Sequence, residues 1–86
     1  MTAEETHKYM VAVRFAKDQH AVVTISINPH FAIETGCDPD ERHFFRVPNT
    51  LFETFEDDLI NSKTEHERRH AIDEFIRRAE ALEAAR

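Results

Sequence analysis

From Asn49 to the C-terminus, apolar residues recur at three- and four-residue steps, and this pattern restricts the fold more than any other feature of the chain. Leu51, Phe52, Phe55, Leu59 and Ile60 give a first helix one oily face, while Glu53, Glu56, Asp57 and Asp58 point elsewhere. Thr50 followed by Glu53 reads as a capping box, with Pro48 just outside to hold Val47 extended. This helix is expected to stop near Asn61.

A second start follows at once, from Ser62 with Glu65 or from Thr64 with Glu67. Beyond it, Ile72, Phe75, Ile76, Ala79 and Leu82 fall within one stripe at ~100° per residue. Three acid-before-base pairs at four-residue spacing line the other side: Glu65–Arg69, Asp73–Arg77 and Glu74–Arg78. Each adds only ~0.2–0.5 kcal/mol, so burial of the stripe must decide the fold. Asn61, Ser62 and Thr64 compete with helical hydrogen bonds and favour a break over one long bent helix. The stripe has two uses, as core against the chain's own sheet or as the seam of a two-fold homodimer. The surplus of apolar surface inclines the reading towards the dimer.

Upstream, Tyr9, Val11, Val13 and Phe15 alternate with Lys8, Met10, Ala12 and Arg14, the period of a strand with one buried face. Lys17-Asp18-Gln19-His20 is a turn without glycine, and Val23, Ile25 and Ile27 alternate through a second strand, closing a hairpin. Asn28, Pro29 and Gly36 match the N-cap, first-turn proline and C-terminal glycine of a very short helix. The alternation of Phe31 and Ile33 leaves an edge strand as the alternative. Gly36, the single glycine, is expected at positive φ. Residues 37–41 read as an acidic turn with Pro39 at its second position. Arg42 to Val47 is a third strand, with His43, Phe45 and Val47 on one face and Phe44 on the other, where a helix or a partner would cover it. The expected fold is α+β: a small antiparallel sheet, hairpin plus third strand, packed by two C-terminal helices in the order β-β-(short α)-β-α-α. One domain spans residues 1–86, with residues 1–6 a disordered N-terminus, 8–47 the sheet half and 49–86 the helical half.

Charge then narrows the function. The net charge is −6, and residues 37–62 supply five of the excess negative charges. Seven acids stand there (Asp38, Asp40, Glu41, Glu53, Glu56, Asp57, Asp58) against Arg42 and Arg46. Nucleic acid is held by clustered Lys and Arg, so direct nucleic-acid binding is not expected, whereas a partner with a basic surface is. No apolar run nears the ~20 residues that span a bilayer, residues 1–6 lack the features of a signal peptide, and a lone Cys37 fits a reducing cytosol.

Chemistry has thin support. His66 and His70, four apart with Asp73 alongside, have a spacing able to chelate a metal, but the pattern turns them to solvent beside Arg68 and Arg69. His30, Cys37 and His43 offer a second cluster and a candidate thiol nucleophile, although Asp38 disfavours the thiolate. Glu53 with Asp57 has the spacing of an acid/base pair without an evident cleft. No glycine-rich phosphate loop is present. The expectation is therefore a non-catalytic interaction module without a cofactor: a small acidic accessory or inhibitor protein, of phage or mobile-element type, whose carboxylates imitate nucleic-acid phosphates. The alternative is a small metal-binding protein or enzyme using its surface histidines and Cys37.

Overall fold

The computed structural model of the chain describes residues 7–85. The expected disordered N-terminus, residues 1–6, lies outside them. Within them the elements are β1 (Tyr9–Phe15), β2 (His20–Ile27), α1 (Pro29–Thr35), β3 (Arg42–Pro48), α2 (Asn49–Asn61) and α3 (Glu65–Ala84). The three strands form one antiparallel sheet in the order β1-β2-β3, with Val13 opposite Val23 and Val23 opposite Phe45. This is the α+β arrangement read from the sequence.

The hairpin closes differently from the expected four-residue turn. Ala16 donates to the His20 carbonyl at 2.8 Å, so His20 belongs to β2 and the loop is Lys17-Asp18-Gln19. A three-residue loop needs a left-handed residue to match the twist of its strands, and Gln19 takes that role at φ 62°. The Gln19 carbonyl then accepts the Asn49 N–H at 3.1 Å, tying the start of α2 to the hairpin.

The helix starts too early for Thr50–Glu53 to cap it. β3 runs on through Pro48, whose extended conformation makes it the N-cap, and no side-chain cap bond forms. Asn49 is already helical, which puts Thr50 inside the first turn, where its carbonyl accepts the Thr54 hydroxyl at 3.2 Å. At the next junction Thr64 is the cap, accepting the Glu67 N–H at 3.1 Å. The Glu67 carboxylate reaches back to Lys63 N–H at 2.8 Å, and Ser62 closes α2 by donating to the Asp58 carbonyl at 2.7 Å. The short helix is present too: the Asn28 side chain accepts the His30 N–H at 3.0 Å, and Gly36 ends α1 at φ 74°.

The core lies between one face of the sheet and the two long helices. Ala21, Val23 and Ile25 of the central strand and Phe45 and Val47 of β3 meet Phe52 and Phe55 of α2 and Ile72, Phe75 and Ala79 of α3. Phe55 stacks on Phe75 with ring centroids 4.2 Å apart, Phe45 meets the same ring edge-on at 5.9 Å, and Phe15 meets Phe52 at 5.5 Å. The C-terminal stripe is thus core: Ile72, Phe75 and Ala79 are buried, Ile76 is half-buried, and Leu82 lies partly exposed beyond the sheet. Ile60, expected on the oily face, is 72 % exposed. It sits ~80° round the helix from Phe52 and ~140° from Phe55, outside the buried arc.

Glu65 fastens the two halves together. Its side chain is only 4 % exposed and accepts from His7 Nδ1 at 2.7 Å, Lys8 N–H at 3.0 Å and Arg69 Nε at 2.6 Å. Burial pushes its carboxyl up, but the Lys8, His7 and Arg69 hydrogen bonds outweigh that and hold it below the ordinary glutamate value. Arg69 also lies over the Phe31 ring at 5.0 Å, which brings α1 to the same corner. Among the other expected pairs, Arg77 turns to Glu74 rather than Asp73, at three-residue spacing, so Glu74 is not left for Arg78. No described helix is long and apolar enough to cross a membrane.

Candidate functional site

The sequence of α2, Asn-Thr-Leu-Phe-Glu-Thr-Phe-Glu-Asp-Asp-Leu-Ile-Asn, contains no Lys or Arg. Phe52 and Phe55 are buried, and Leu51 and Leu59 are half-buried beside them. With these four turned to the core, Glu53, Glu56, Asp57 and Asp58 are left exposed. None of the four forms an ion pair among the described residues. Four carboxylates without a counter-charge on a helix pinned by stacked phenylalanines form a rigid surface of negative potential.

The other three acids of the middle stretch stand apart from these. Asp38, Asp40 and Glu41 belong to the Pro39 turn between α1 and β3. Asp38 is partly occupied by the turn itself, since its carboxylate accepts the Asp40 N–H at 2.9 Å and its carbonyl accepts Glu41 N–H at 3.3 Å. Asp38 and Asp40 are exposed and Glu41 is half-buried, its carbonyl accepting the Ile27 N–H at 3.1 Å. β3 separates this group from the start of α2. The helix then returns along the sheet to deliver Glu65 to Lys8, at the end that carries the turn.

The candidates for chemistry do not assemble. His66, His70 and Asp73 lie exposed along α3, and no group of three or more His, Cys, Asp or Glu among the described residues is placed to hold a metal ion. His43 is half-buried with its ring stacked on Phe45 at 6.4 Å, while His30 and Cys37 are exposed. The Cys37 sulfur accepts the Thr35 hydroxyl at 3.2 Å. Glu53 and Asp57 line none of the clefts between α2 and α3 among the described residues. One such cleft is polar, with Asp58, Ser62, Glu67, His70 and Arg78 on its walls. Another is an open apolar groove between Pro48, Leu51 and Leu82. With most of the α3 stripe in the core, Leu82 is the member of it left exposed for a seam between two copies.

Local spacing gives Glu65 only a helix pair and a cap, yet this buried carboxylate finds its principal partners 57 and 58 positions away. Phe44, expected beneath a helix or a partner, is 63 % exposed, because α2 and α3 both pack on the opposite face of the sheet. Comparison with protein-family models, with curated proteins and with solved structures finds no match to this chain.

Proposed function

We propose that the protein acts by non-catalytic binding, as a small acidic accessory or inhibitor protein whose α2 surface docks on a basic surface of a partner protein. The observation that carries this reading is the exposed face of Glu53, Glu56 and Asp57, with Asp58 on the α3 side, on a helix that has no basic residue of its own. Carboxylates held on a rigid helix imitate the regular negative charge of a nucleic-acid backbone, so the preferred partner is a nucleic-acid-binding protein whose basic groove they occupy. An inhibitor of the phage or mobile-element kind works in this way. The unpaired thiol of Cys37 fits a reducing cytosol.

Affinity capture from a lysate of the source cells tests the reading, with the wild-type chain and a Glu53→Lys/Asp57→Lys variant as parallel baits. The expected result is a basic protein retained by the first and lost from the second. Equal retention by both baits would remove α2 from the interface.

A further inference from the structure

The three strands contain no Asp or Glu and three arginines, Arg14, Arg42 and Arg46. Strand alternation and register put all three on the face turned away from the helices, together with Phe44 and Met10. Phe44 lies in one cross-strand row with Thr24 and Ala12, so an exposed ring stands beside a floor of small side chains. Arg46 and Val22 face each other one row further along, with Arg14 opposite Val22 on β1. Arg42 begins β3 on the other side of the ring. Arg46 is paired with Asp18 of the hairpin loop, and Arg14 and Arg42 have no ion pair among the described residues. A molecule of net charge −6 thus carries a cationic face with an aromatic ring at its middle. The clustering is hidden in the sequence because the arginines come from different strands.

We infer that this exposed sheet face binds single-stranded nucleic acid, one base stacking on Phe44 while Arg14 and Arg42, the two arginines without an ion pair among the described residues, meet the phosphates. Such a strand supplies a negative charge and a flat π face in every unit, so it satisfies ring and guanidinium groups in any register. An acidic polypeptide has to bring carboxylates and aromatic side chains in one matched order. A duplex keeps its bases stacked and has none to offer the ring. A second copy packed face to face sets arginine against arginine, and the acidic α2 row of a second copy offers no ring to Phe44. The inference goes beyond the acidic docking surface and does not depend on it, because the two lie on different elements and have opposite charge.

Fluorescence anisotropy of labelled oligo(dT) and oligo(U), about 12 nucleotides long, with the full chain at low salt tests this. Binding of at least one oligonucleotide is expected, with log K falling against log salt at a slope of about −1.4 for two phosphate contacts. Phe44→Ala is expected to weaken binding about tenfold, and Arg14→Ala/Arg42→Ala to flatten the slope by about 1.4. Circular dichroism melts of both variants should match wild type, since the side chains removed are exposed. Glu53→Lys/Asp57→Lys should bind the oligonucleotide at least as well as wild type, which separates this surface from α2. Three outcomes overturn the inference: no binding at about 100 μM protein in low salt, a duplex of equal length bound as tightly, or a Phe44-dependent complex with an Asp/Glu-rich peptide and none with either oligonucleotide.

Discussion

Replacing Glu65 with Gln removes one charge from the corner where α3 meets the start of β1 and leaves the volume almost unchanged. Three donors converge on that carboxylate, from Lys8, His7 and Arg69. The amide keeps one acceptor oxygen, which in place of Oε2 can still serve Lys8 N–H and, without its charge, Arg69 Nε, but its NH2 group then faces the His7 ring. Exchanging a charged acceptor for a neutral one at Lys8 costs about 1 kcal/mol. His7 and Arg69 side chains are 59 % and 39 % exposed, so water takes up much of their loss and each adds only about 0.5–1 kcal/mol. The total is about 2–3 kcal/mol at neutral pH, or about 10–20 °C in Tm for a domain of this size. The folded carboxyl is held low, so its contribution is complete above the unfolded value near ~4.3 and disappears as pH falls through the lower folded value. Urea titrations of Glu65→Gln and wild type should therefore show a gap at pH 7 that narrows well below pH 4. A gap under about 0.5 kcal/mol at pH 7, or one that stays constant into acid, would refute the corner as described.

Four further substitutions probe the scaffold. Phe55→Leu keeps the burial but ends the stack on Phe75, and is expected to cost about 1–2 kcal/mol by urea unfolding. Gln19→Gly should stabilise by about 0.5–1 kcal/mol, because relief of the left-handed strain exceeds the added chain entropy; a lower Tm would contradict the positive φ. Thr64→Ala should lose about 1 kcal/mol through the α3 cap, whereas Thr50→Ala, inside the first turn of α2, should lose less than half of that.

What the sequence disclosed was local. The helix of Ile72, Phe75 and Ala79, the strands through Val23 and Ile25, and the short helix between Asn28 and Gly36 are each specified within a few residues by period, cap or positive φ. Thr50–Glu53 has the spacing of a cap, but β3 runs directly into a helix that starts at Asn49. Glu65 looked like any helical ion pair, since nothing near it announces His7 and Lys8. The acidic row on α2 was legible from spacing alone, but its separation from the Pro39 turn depends on how β3 sits between them. The cationic sheet face needed the register of three strands before Arg14, Arg42 and Arg46 could be seen as neighbours of Phe44.

The central claim is that the carboxylates of α2 hold a basic partner by charge. The most direct measurement is the affinity of the captured partner for the wild-type chain across a salt series, by calorimetry. Predicted is an affinity that falls steeply as salt rises for the wild-type chain, with binding lost in Glu53→Lys/Asp57→Lys already at the lowest salt. An affinity that does not change between about 50 mM and 500 mM salt would contradict it, because exposed charges are screened over that range.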